Sequence, residues 1–220
     1  MISPHANHHR LWQLISPSLP VGAFQYSQGL ENAISRGLVD GDETARAWIR
    51  GVFAHVVAGV DLPIIVRVHS AWQRGDEDAI TYWSSVARAC RETSELRAED
   101  QLMGAALAEL AKEWDESFPD TAVGYAAGFA VLSVNSGLSV MDALHGYAWS
   151  WCENQVLIAT RAVPLGHLAG QRLLRQVMGD VGQSVESSTA IADEQIGLSA
   201  SGYAIASMLH ETQYSRQFRS

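Results

Sequence analysis

The chain has 220 residues, 47 % of them apolar, which suffices for one large domain or two small ones without disulfide or metal staples. Its 24 acidic and 15 basic residues give a net charge of -9, and Lys112 is the one lysine, which argues against a surface that neutralises phosphates and hence against a nucleic-acid partner. Cys90 and Cys152 form no C-x-x-C pair, so neither a disulfide framework nor a zinc knuckle is written here, and reduced thiols in a cytoplasmic protein are the expectation.

The N-terminus, "MISPHANHHR", has no apolar run with a small-residue cleavage site, so a secretory signal is not expected and residues 1–9 read as a flexible tail. Apolar residues then recur at i, i+3, i+4 and i+7 between Gly, Pro, Asp and Ser punctuation. Helices are expected over 8–15, 24–36, 42–58, 62–74, 77–91, 94–114, 120–133, 140–161, 165–178 and 203–211, with a loose stretch over about 180–202. Almost nothing alternates with period two. The fold class is therefore all-α: a single-domain bundle of about ten helices spanning 1–220.

Local signals support individual elements. Pro20 fixes one backbone angle and Gly22 frees another, so Pro17–Glu31 reads as a shaped turn running into a helix. Pro63 and Pro164 fall near helix starts. Ser139 and Asp142 make an S-x-x-D capping box for the helix from 140. Thr121–Met141 carries no charge and is long enough to cross a bilayer, but its Ser133–Ser139 turn cluster splits it, so a buried core helix is expected and no membrane association. Gly124 and Gly128 there would let two helices approach closely. The same uncharged face, with seven tryptophans in the chain, leaves apolar surface for a two-fold homodimer.

The chemical motifs are mostly absent. Lys112 lacks the glycines of a phosphate-binding loop, and no H-E-x-x-H or G-x-S-x-G occurs, so no catalytic residues are assigned. His145, Cys152 and Glu153, close together on one helix, are the best remaining acid/base set for an enzyme. His5, His8 and His9 are weak metal candidates, because imidazoles on a tail lack a rigid supporting shell; a nickel carrier would have to rely on them. His55, His69, His145 and His167 stand alone on helical patterns, and Tyr147, Trp149 and Trp151 read as packing. The C-terminal "HETQYSRQFRS" interleaves Tyr214, Arg216, Phe218 and Arg219, the residue types favoured at interface hot spots.

Several blocks together resemble one family. They are "SPSLPVGAFQYSQGLE" at 16–31, "DLPI" at 61–64, "ACRETSELR" at 89–97, "GYAWSWCEN" at 146–154, "VPLG" at 163–166 and "IASMLHETQYSRQFRS" at 205–220. In this order they are similar to the UreF family of urease accessory proteins. The chain departs from the family pattern at His167, Leu209 and Gln217. The resemblance implies a non-catalytic all-α homodimer that joins UreD (also called UreH) and the GTPase UreG. That complex serves the urease apoprotein, delivering nickel at the expense of GTP bound by UreG, with no cofactor held stably by this chain.

On this reading Tyr26, Ser27, Gln28 and Glu31 begin a helix that receives the C-terminal tail, about 203–220, or a partner. Glu211, Thr212, Gln213, Tyr214, Arg216, Phe218 and Arg219 form the partner-binding tail. Arg216 is expected to fork onto Glu31, with Tyr214 and Phe218 buried beside it. Ordering about ten residues costs on the order of 10 kcal/mol, so the tail is expected to stay loose until a partner adds contacts.

Overall fold

The computed structural model describes residues 4–163 and 165–220, with side chains from His8 onward. Ten α-helical segments are present and no strand among the described residues: α1 (Pro4–Leu14), α2 (Leu30–Ser35), α3 (Asp42–Val52), α4 (Leu62–Arg74), α5 (Glu77–Ala89), α6 (Ser94–Glu113), α7 (Tyr125–Asn135), α8 (Val140–Ala162), α9 (His167–Ser188) and α10 (Ser201–His210). The all-α expectation holds. Pro164 lies outside the described residues.

The centre of the molecule is α7. Ala126–Ser133 are all buried, as a helix enclosed on every side requires. It packs chiefly on α4 and α6, while α8 pairs with α9. The uncharged 121–141 stretch is thus a core helix, cut by the Ser136–Leu138 turn. The longest apolar rod is instead Asp42–Arg74, sufficient by length and composition to span a bilayer, with 72 % of its apolar window buried inside the protein.

Gly124 and Gly128 are not a free face. A Cβ on Gly124 would lie 2.0 Å from Asp100 Oδ2 of α6, and one on Gly128 would lie 3.1 Å from Leu107 and Phe118. The close approach they permit is α6 to α7 within one chain. Across the same seam, a Cβ on Gly104 would fall 2.0 Å from the Val123 carbonyl.

Several boundaries differ from the sequence expectation. Helix α1 begins at Pro4, so residues 4–9 are helical and not a flexible tail. Pro4 starts it with its fixed φ, and Leu11 and Ile15 anchor it in the notch above Gly146. The two helices expected at 42–58 and 62–74 are one rod, joined by a π-helical segment over Phe53–Asp61. Pro63 cannot donate to the carbonyl four residues back, and the wider π register just before it accommodates the missing bond. Helix α7 starts at Tyr125 and α9 runs on to Ser188. The stretch expected to be loose is tied down: Arg67 donates to the Ile191 carbonyl and to Asp193, the latter at 2.8 Å. The capping box of α8 is present, with Ser139 Oγ 2.6 Å from Asp142 Oδ2 and 3.1 Å from its amide.

The expected helix 24–36 is broken. A 3-10 turn at Ala23–Gln25 gives way to an irregular stretch, and α2 starts only at Leu30. Gln28 (φ 53°) and Gly29 (φ 79°) are both left-handed. Gly29 is required twice over, since a Cβ there would also lie 2.9 Å from the Ser207 amide of α10.

Gly104→Ala is expected to lower stability by about 3 kcal/mol, because a backbone carbonyl must move. That corresponds to a fall in Tm of roughly 6–12 °C. Gly179→Ala, where nothing lies within 4 Å of the added Cβ, is the control and should leave Tm unchanged or raise it. Thermal unfolding followed by circular dichroism checks both.

Candidate functional site

The break at Gln28–Gly29 creates a seat, and the C-terminal segment occupies it. The Ser220 main-chain oxygen accepts from Ser27 N at 2.7 Å and from Ser27 Oγ. Arg219 N donates to Gln25 O at 2.7 Å. The Glu31 carboxylate accepts from the amides of Gln217 and Phe218 at 2.7 and 3.0 Å. Asn32 Nδ2 donates to Gln213 Oε1 at 2.9 Å. Phe218 is buried in the same apolar cluster as Tyr26. Tyr26, Ser27, Gln28, Glu31, Gln213 and Phe218 are therefore brought together, but as a turn facing a strap and not along a helix face.

Two pairings differ from those expected. Arg216 meets Glu95 of α6 at 2.8 Å, not Glu31. Backbone amides and His210 already fill the Glu31 oxygens, which leaves the guanidinium the neighbouring carboxylate. Tyr214 is fully exposed and buries nothing. The segment is ordered against its own chain, because those bonds are available without a partner.

A second layer fixes α10 to the start of α6. The imidazole of His210 is completely buried between two carboxylates, Nδ1 at 2.8 Å from Glu95 Oε2 and Nε2 at 3.0 Å from Glu31 Oε2. Glu211 accepts from Ser94 N and Oγ at 2.8 and 2.6 Å. It thereby caps the free amides of the α6 N-terminus, and Ser94's hydrogen bond holds its carboxyl below the usual range. Ser207 and Thr93, both buried, share a 2.9 Å hydrogen bond.

Beneath the seat lies a buried polar cluster. Arg91 Nη2 binds Asp61 at 2.7 Å and Asp100 at 3.1 Å. Tyr147 donates to Asp61 at 3.0 Å, and the Tyr125 amide donates to Asp100 at 3.2 Å. Burial by itself would favour a neutral guanidine, but the two aspartates outweigh it and hold Arg91 well above its ordinary pKa. Glu99, next to Asp100, accepts from Gln28 Nε2 at 2.6 Å and from Ser220 Oγ at 2.9 Å. Gln28 accepts in turn from Trp151 Nε1 at 2.9 Å, and these two bonds hold its left-handed backbone in place. Apart from Trp151 and Ser220, these residues line a small cavity with Val56, Met103 and Tyr203.

The remaining predicted residues lie elsewhere. Thr212 and the Arg219 side chain are exposed beside the strap. His8 and His9 are exposed on α1 and flank Trp12, while the His5 side chain lies outside the described residues. No group of three or more His, Cys, Asp or Glu is placed to hold a metal among the described residues. His145, Cys152 and Glu153 do not converge: His145 pairs with Glu186, Cys152 is buried with its thiol pushed up by burial, and Glu153 bonds Trp149. Of the departures, His167 opens α9 and Leu209 and Gln217 face solvent.

Sequence reasoning missed Asp61, Arg91, Glu95, Glu99 and Asp100 as parts of the site, and took Tyr147 and Trp151 for packing alone. One signal for Asp61 was available. A lone aspartate in the apolar run Val56–Val66 has to be paired if it is buried.

Outward of the strap, Ile205, Met208, Leu209 and Tyr214 are exposed on α10 and the segment after it. Ile205, Met208 and Leu209, at i, i+3 and i+4, share one face of α10 as an apolar strip, and Tyr214 is exposed in the segment beyond it.

Arg91→Met should destabilise the protein by about 3–5 kcal/mol, because it leaves two buried carboxylates without a counter-charge. Adding Asp61→Asn and Asp100→Asn should recover a substantial part of that loss. Urea unfolding of the single and triple variants checks both.

Comparison with known proteins agrees with the blocks quoted above. Residues 39–178 match the family model described as UreF. A urease accessory protein UreF of Alkalilimnicola ehrlichii is 45 % identical over 99 % of this chain and 98 % of its own length. Those of Methylobacillus flagellatus and Chromohalobacter salexigens are 42 % and 41 % identical, each over 96 % of this chain and over 96 % and 93 % of their own lengths. A family model matched over residues 39–178 and relatives matched almost end to end show that this chain belongs to the UreF family of urease accessory proteins.

Proposed function

We propose that this protein is a non-catalytic adaptor of urease maturation, joining a UreD/UreH-type subunit to a UreG-type GTPase in the complex that activates apo-urease. The observation that carries the reading is the strapped seat with the exposed α10 strip of Ile205, Met208 and Leu209 and the exposed Tyr214 beyond it. Aromatic and flexible apolar side chains held out by a polar, hydrogen-bonded base are what a docking partner buries. In this reading the strip receives the UreD/UreH-type subunit. GTP stays on the GTPase, and nickel is handled by the assembled complex in the cytoplasm without a stable site on this chain. Any effect on GTP hydrolysis acts by docking and shifting the partner's switch state.

The adaptor works as a homodimer in this proposal. With Gly124 and Gly128 buried, this proposal places the two-fold contact on one of the exposed apolar areas, that of α8, where Trp149 and Leu157 are exposed with Glu153 between them. A two-fold antiparallel pairing about Leu157 would set Glu153 against Arg161 of the partner subunit and the reverse, as an isologous contact demands.

Met208→Ala with Tyr214→Ala tests the docking strip. Capture of the UreD/UreH-type protein in a pull-down should weaken at least tenfold, which is about 1.4 kcal/mol. Tm should stay within about 2 °C, since neither side chain is packed. Undiminished capture overturns the assignment of the strip. If partner affinity for the GTPase is the same with GTP and GDP, the regulatory part fails.

A further inference from the structure

Glu99 lies under the seated segment with no cation of its own. It is 5 % exposed, and its two oxygens are taken by Gln28 and Ser220. The nearest guanidinium, Arg91, is committed to Asp61 and Asp100. The other titratable groups facing the cavity are the phenols of Tyr125 on α7, Tyr147 on α8 and Tyr203 on α10, none of which brings positive charge. Three carboxyls and one guanidinium would leave an excess of two negative charges if all were ionised, which so dry a site does not support. Burial raises the Asp61 carboxyl as well, but Arg91 and the Tyr147 hydroxyl oppose it. Glu99 touches no cation and is the member that keeps a proton, on Oε2 and shared with Ser220 Oγ because Gln28 Nε2 donates to Oε1. Burial pushes its carboxyl up to about 7, against the opposing pull of Gln28, Ser220 and Arg91.

Ser220 is fully buried and closes the site on that side, its Oγ on Glu99. With the segment lifted, water reaches the carboxyl, which then returns towards the ordinary range near 4. We propose that seating of residues 210–220 is coupled to proton uptake by Glu99, so that the segment is held at mildly acidic pH and released as the pH rises. The seated form carries more protons between the two ranges. Seating is therefore complete at low pH and weakens as pH climbs towards about 7, by at most about tenfold per pH unit. His210, Glu31, Glu95 and Arg216 face the far end of the same segment, so the contribution of Glu99 has to be isolated by substitution. Nothing in this coupling depends on which partner docks outside.

Amide hydrogen exchange of the full chain, corrected for the intrinsic pH dependence, tests it. Protection of Phe218 and Arg219 should fall several-fold to tenfold per pH unit between about pH 5.5 and 7, while α7 amides stay protected throughout. Glu99→Gln cannot ionise and should flatten the profile. If that variant does not fold, carbon-detected NMR of the glutamate carboxyls in the wild-type chain replaces it: one carboxyl should titrate near neutral pH in step with the exchange of Phe218. A flat wild-type profile, an unchanged slope in Glu99→Gln, or no carboxyl titrating with the segment overturns the coupling.

Discussion

Arg91 lies where a charge is expensive to hold, and the surrounding architecture can be understood as the arrangement that keeps it paired. The effective cost of burying each ion is several kcal/mol, recovered only when both partners stay hydrogen-bonded. Asp61 comes from the end of the π-helical segment and Asp100 from α6. Tyr147 of α8 adds a hydrogen bond to Asp61 Oδ2, and the first amide of α7 adds one to Asp100 Oδ1. Four elements are thus fixed relative to one another by one guanidinium. Gly124 belongs to the same constraint, because only a residue without a Cβ leaves room for the Asp100 carboxylate.

The seat of the C-terminal segment inherits this geometry. Glu95, Glu99 and Asp100 sit on the first turns of α6, so the helix that anchors Arg91 also presents the carboxylates that meet His210, Arg216 and Ser220. Ordering the segment costs on the order of 10 kcal/mol in conformational entropy. The hydrogen bonds that Gln213 accepts and that Arg216, Gln217, Phe218, Arg219, Ser220 and His210 make return about 1 kcal/mol each, and burial of Phe218 about 2–3 kcal/mol. The two sides nearly cancel. A strap so balanced is ordered on its own chain yet needs only a small change in charge or contact to shift it.

This balance explains why the site is polar. An apolar tail of the same length would be fixed once and for all, or would aggregate when displaced. A strap held by carboxylates, amides and an imidazole can be exchanged against water without exposing a large apolar area. The apolar residues that do face outward, Ile205, Met208 and Leu209, belong to α10 and not to the strap's inner face.

Much was determined by the sequence alone. The 3.6-residue period sets the all-α class and most of the helices, and the Ser139/Asp142 pair sets the start of α8, because both signals act within a turn or two of chain. The two segments that meet at the site were legible as unusual strings at 17–31 and 210–220, and their blocks carried the family resemblance. The tertiary structure decided the rest. It broke the helix at Gln28–Gly29, where α10 comes too close for a side chain. It fused the helices on either side of Asp61 and tied down the stretch after Ser188 through Arg67. It also gave Glu31 to backbone amides and Arg216 to Glu95. The reason is physical: period and capping are local, whereas the partner of a charge is settled by which elements lie near it after packing, and Asp61, Arg91 and Asp100 are brought together only then.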